Sequence, residues 1–61
     1  MTFTTEQKIA AVDRELKFRR YVYAKRVAGG KMTQAKADEE IAVMEAIRED
    51  YARIAEGERL L

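Results

Sequence analysis

Sixty-one residues, 38% of them charged and netting only +1, allow one small domain, whose core is thin because a chain this short buries only about 60% of the surface its unfolded form exposes. With no cysteine and no histidine, disulfides and the common zinc arrangements are excluded as staples, which leaves a partner subunit. Serine is missing too, so the usual nucleophiles and the commonest general base are gone, and the chain reads as a non-enzyme that needs no cofactor and no metal.

The chain contains no proline, and its glycines are Gly29, Gly30 and Gly57. Thr4 is a helix N-cap, with its hydroxyl set to accept from the backbone N–H of Gln7 while Gln7 reaches back. The first helix is predicted over about residues 5–28, ended by Gly29 in the left-handed region. A turn over 29–32 follows. Thr33 caps a second helix, with Met32 placed just outside it to staple onto Ala37. That helix is predicted over about 33–56, ended by Gly57, and a short tail over 57–61 either frays or adds a last apolar contact through Leu60 and Leu61. Each helix is about 23 residues, hence roughly 35 Å long, and so short a connection joins antiparallel neighbours.

Period supports the helices and fixes an expected core. At 100° per residue, Ile9, Val12, Leu16, Tyr23 and Val27 fall on one stripe of helix 1. On helix 2 a wider stripe holds Ala37, Ile41, Met44, Ile47, Tyr51, Ile54 and Ala55. The fold class is therefore all-α, an antiparallel helical hairpin in one domain. Phe18 and Val22, with Ala11 nearby, fall on the side of helix 1 away from its stripe, and Val43 widens that of helix 2. Two helices cannot cover all of this. The reading is a homodimer of hairpins forming a four-helix bundle, stabilised by Phe18 and Val22; the alternative use of the same residues is a patch for another protein.

Charge is divided between the halves. Residues 1–31 carry eight cations and three acids, net +5, and residues 32–61 carry four cations and eight acids, net −4. Either two oppositely charged helices screen each other side by side, or the basic half meets an anionic partner. Intrahelical pairs Asp13 with Lys17, Glu15 with Arg19 and Glu49 with Arg53 account for several charges. Asp38, Glu45, Glu49 and Glu56 make an acidic stripe, but one helix face cannot supply the roughly six oxygens a hard cation wants. The run from Gly29 to Thr33 is no phosphate loop, since a helix precedes it where a strand is required and Met32 separates Lys31 from Thr33. In the segment 17–26, cations alternate with aromatics as nucleic-acid binders do, with Lys17, Arg20 and Lys25 as candidate phosphate contacts. On a helix, however, the basic groups of this segment radiate in several directions. The first twenty residues are too often interrupted by charge for a signal peptide, and no run approaches about 20 apolar residues. No membrane segment is expected, and a cytoplasmic setting is.

The segment Tyr-Val-Tyr-Ala-Lys-Arg-Val (21–27), followed by Gly30-Lys31-Met32-Thr33-Gln34-Ala35-Lys36-Ala37-Asp38, then Glu40-Ile41 and Met44, resembles a group of small bacteriophage and prophage proteins. The resemblance covers about three quarters of the chain, from Gln7 through Tyr51. Its relatives often have proline in place of Ala24 and tryptophan in place of Arg26. It implies a phage origin, hence a bacterial host cytoplasm, and an all-helical hairpin; it supplies no functional residues. The expected function is a phage accessory protein that binds or inhibits a host protein, through Phe18, Tyr21 and Val22 with Arg19 and Arg26 on the rim. The alternatives are a nucleic-acid-binding regulator using helix 1 and a component of phage assembly.

Overall fold

The computed structural model describes residues 2–60. It is a hairpin of two packed helices, α1 (Thr5–Ala28) and α2 (Gln34–Arg59), with no strand among the described residues. The capping box at the start of α1 is present: Gln7 N–H donates to the Thr4 hydroxyl at 3.1 Å, and the Thr4 N–H donates to the Gln7 amide oxygen at 2.8 Å. Two otherwise orphaned donors are thereby satisfied. Thr33 caps α2 by accepting from Lys36 N–H at 3.1 Å.

The reversal differs from expectation in which glycine is special. Gly29 has φ −84°, an ordinary backbone, whereas Gly30 has φ 72°. Lys31 N–H donates to the Arg26 carbonyl at 2.8 Å and Gly30 N–H to the Val27 carbonyl at 3.1 Å. This is the two-bond closure that places the left-handed residue one position past the helix cap. Gly30 therefore carries the conformational demand assigned above to Gly29.

Gly57 does not end α2, which continues through it to Arg59. A single mid-helix glycine disfavours the helix by only about 1 kcal/mol relative to alanine, and here the added turn secures a contact between the far ends. The Thr5 hydroxyl donates to Glu58 Oε1 at 2.7 Å, and Thr5 is one of the few buried residues. The tail contact expected of Leu60 and Leu61 is not seen at Leu60, which is exposed, and Leu61 lies outside the described residues.

The core is a single interhelical layer. Leu16 and Ala37 are its buried apolar residues, at 3% and 4% exposure, with Ile9, Val12, Tyr23, Val27, Met32, Ile41, Met44, Tyr51 and Ala55 half-buried around them. Ile47 and Ile54, assigned above to this layer, are exposed, at 38% and 49%. On a helical wheel both lie about 80–100° from Ala37, beyond the arc that one neighbouring helix can cover. The radius of gyration is 14.3 Å, against about 10.5 Å for a compact chain of this length. The hairpin is a rod, 48 × 21 × 15 Å.

Candidate functional site

Ion pairs across the hairpin fix which side of each helix faces where. Arg48 donates to both carboxylate oxygens of Asp13, and Arg20 pairs with Glu45 at 3.3 Å, on one flank. On the opposite flank Arg19 bridges Glu15 at 2.8 Å and Glu40 at 3.8 Å, and Lys36 reaches Glu40 at 3.2 Å. The oppositely charged halves do lie side by side and pair. Asp13 is taken by Arg48 across the hairpin, in place of the intrahelical pair with Lys17, whereas the Glu15–Arg19 and Glu49–Arg53 pairs form as expected. The Asp13 carboxyl is held below its usual range, chiefly by the hydrogen bond from Arg48. Arg19 and Lys36 are raised, through hydrogen bonds to Glu15 and Glu40 respectively.

This pairing sorts the cations. Every Lys and Arg of α2 has a carboxylate within 4.0 Å, as do Arg19 and Arg20 of α1. Among the described residues, Lys8, Arg14, Lys17, Lys25, Arg26 and Lys31 have none. Arg14, Lys17 and Lys25 fall within about 80° of the direction pointing straight away from α2, together with Phe18 and Tyr21. Both aromatics are 62% exposed, and the Lys25 ammonium sits 4.5 Å from the centre of the Tyr21 ring. Towards the start of the helix the same face holds an open groove lined by Phe3, Ala10, Ala11 and Arg14. The outer face of α1 is thus aromatic and small-apolar, with basic side chains that have no carboxylate partner.

The residues singled out from sequence are distributed unevenly over this surface. Phe18 and Tyr21 lie together on the outer face. Val22, half-buried, and Arg26, exposed, are turned towards the flank of the Glu15–Arg19–Glu40 network. Arg19 is occupied inside that network. Of the three nucleic-acid candidates, Lys17 and Lys25 are on the outer face, and Arg20 is engaged by Glu45. Sequence reading missed Arg14, whose membership of this face follows from its four-residue spacing to Phe18 once the interhelical stripe is known, and Phe3, which precedes the helix and joins the face through the groove it shares with Arg14. It also missed the exposure of Ile47 and Ile54 on α2, which stand beside the exposed Val43 (52%).

Among the described residues no cluster of three or more acidic side chains is arranged to hold a metal ion, and no helix is long and apolar enough to cross a membrane. No protein-family model, curated protein or solved structure matches the chain.

Proposed function

We propose that this chain is a non-catalytic protein-binding module, a small phage-type accessory protein that works in the host cytoplasm by occupying a surface of a host protein, and that it self-associates into a four-helix bundle. The observation that carries the binding role is the outer face of α1, where Phe18 and Tyr21 stand 62% exposed among cations that have no carboxylate partner. Aromatic anchors rimmed by basic side chains are the composition of binding hot spots, where a few such residues supply most of the energy. The partner surface is accordingly an apolar pocket or groove with an acidic rim. Self-association is supported by the thin interhelical layer, since two buried apolar residues are little for a chain that must hold its own fold.

A mixed experiment tests this against nucleic-acid binding. The tagged chain is used to capture proteins from bacterial lysate, alongside a Phe18→Ala/Tyr21→Ala variant of unchanged helicity. A partner retained by the wild type and lost by the variant supports the proposal; equal retention by both, or none by either, refutes it.

The nucleic-acid reading has one observation in its favour: three cations without a carboxylate partner, Arg14, Lys17 and Lys25, gather on one side of α1 with two aromatics. With Arg14, Lys17, Lys25 and Arg26 each neutralising one phosphate, single-stranded DNA affinity would fall with a log–log salt slope near −2.8. Fluorescence anisotropy with labelled single strands at physiological salt reads this directly. The protein-binding proposal expects no complex there.

A further inference from the structure

The flank bearing the Arg19 network also carries the apolar residues that α1 does not cover. Val43, Ile47 and Ile54 are spaced four and seven residues apart, so they form one continuous line along α2, the pattern of a helix–helix seam. Its opposite flank is closed to apolar contact by the cross-helix pairs Asp13–Arg48 and Arg20–Glu45. The accessible surface is 4907 Å², whereas a compact monomer of 7.0 kDa exposes about 4,000 Å². The excess, about 900 Å², is close to the roughly 800 Å² that each partner buries in a stable interface of standard size.

We infer that this flank is where a second copy of the chain docks, with Val43, Ile47 and Ile54 of α2 packed on the same residues of an antiparallel α2. This rests on the self-association proposed above and moves its seam from Phe18 and Val22 to α2. Two features choose the arrangement. Laying α1 on the partner's α2 would set Lys8, Glu15, Arg19 and Arg26, which share that flank of α1, against three aliphatic side chains, and charge is costly to bury without a partner. Placing α2 on α2 matches apolar with apolar and leaves those long side chains at the solvated edge. A parallel pair would oppose the two Asp50 carboxylates, because Asp50 completes the four-three-four spacing between Ile47 and Ile54. The antiparallel pair separates them, brings Val43 opposite Ile54, and sets each Asp50, paired with Arg53 of its own helix, at the level of Ile47 across the seam. Phe18 and Tyr21 stay free on the outer faces of the bundle, two equivalent binding surfaces on one particle.

Light scattering tests the assembly and cysteine cross-linking tests the seam. The chain has no cysteine, so single-cysteine variants report one position each. The wild type is expected at twice 7.0 kDa, Ile47→Glu at half that mass, and Phe18→Asp still dimeric. Since α2 is acidic, added salt should tighten the dimer. On mild oxidation a mixture of Val43→Cys and Ile54→Cys chains should yield covalent dimer, and neither variant alone should. A monomeric wild type overturns self-association altogether and leaves the α1 binding face standing. A dimer that Phe18→Asp dissociates and Ile47→Glu does not, or a Val43→Cys chain that cross-links to itself, overturns this seam while keeping the dimer. If Ile47→Glu fails to fold, the cross-linking pattern decides alone.

Discussion

Among the described residues, Leu16 is the one large side chain that the hairpin buries almost completely, at 3% exposure, so Leu16→Ala measures how much cohesion the interhelical layer has. Leucine-to-alanine changes in cores remove about 2–5 kcal/mol, the value depending on how far the site can collapse. Here the surrounding layer is only half-buried and can close in, which points to the lower part of the range, about 2–3 kcal/mol. At about 0.05–0.15 kcal/mol per residue, a chain of this length has a total stability of about 3–9 kcal/mol. The substitution therefore removes at least about a fifth of the stability. With a urea dependence near 1 kcal/mol per molar for so small a chain, the midpoint should fall by about 2–3 M. Circular dichroism at 222 nm at one fixed protein concentration is the assay, because association makes apparent stability depend on concentration. Leu60→Ala, at a residue 81% exposed, is the control and should change stability by less than about 0.5 kcal/mol. A loss below about 1 kcal/mol for Leu16→Ala would show that the hairpin is held elsewhere and refute this account of the core.

Further outcomes follow from the turn, the end of α2 and the ion pairs. Gly30→Ala should destabilise by about 1–2 kcal/mol, since Gly30 has φ 72° and a side chain is strained there. Gly29→Ala should change little, as its added carbon meets the Lys25 carbonyl at an ordinary 3.4 Å; thermal melts of the two variants compare them. Gly57→Ala should raise the melting temperature, by an amount equivalent to at most about 1 kcal/mol, because the new methyl meets open space. Asp13 titrates below the usual carboxylate range when folded, so its pairing with Arg48 stabilises at neutral pH and that contribution is lost as the pH falls through the depressed value. The melting-temperature gap between the wild type and Asp13→Asn should therefore be positive at neutral pH and close in strong acid; a gap independent of pH would refute the assignment.

Much of the architecture was legible because it is written in local chemistry. Thr4, Gln7 and Thr33 cap helices through hydrogen bonds that span three residues, so their spacing alone announces them. Leu16 and Ala37 sit at the centre of their stripes, where modest errors in helix rotation do not matter. The glycine pair announced a reversal, but which member turns left-handed depends on where the last helical hydrogen bonds close, a difference of one residue that composition does not encode. Gly57 misled for a related reason. Helix propensity predicts an end there, and the Thr5–Glu58 hydrogen bond, 53 residues apart in sequence, forms only if the helix continues. Tertiary contact outweighed a preference of about 1 kcal/mol.

The failures at the surface share one cause, and it bears on function. A wheel drawn for a single helix shows which residues lie together, and it does not say how much of that arc a neighbour covers. With one neighbour, coverage stops short of Ile47 and Ile54; with two it would include them. The same limit hid the basic face. Read along the sequence, the cations of 17–26 radiate in several directions. Pairing across the hairpin then engages Arg19 and Arg20, Arg26 turns to the flank, and what remains on the outer face is Lys17, Lys25 and, from outside that segment, Arg14 beside Phe18 and Tyr21. Surface character is thus a remainder, set by what the second helix takes up. The hairpin leaves two such remainders, an apolar line on the acidic helix and an aromatic–basic face on the basic one. They differ in chemistry, so ionic strength separates them. Contacts along the apolar line between acidic helices should strengthen with salt, and contacts of the basic face with an acidic partner should weaken. A single salt titration followed by both light scattering and partner binding should therefore move the two readouts in opposite directions. Parallel movement of the two would mean that one surface serves both purposes, and the division of labour between α1 and α2 would be wrong.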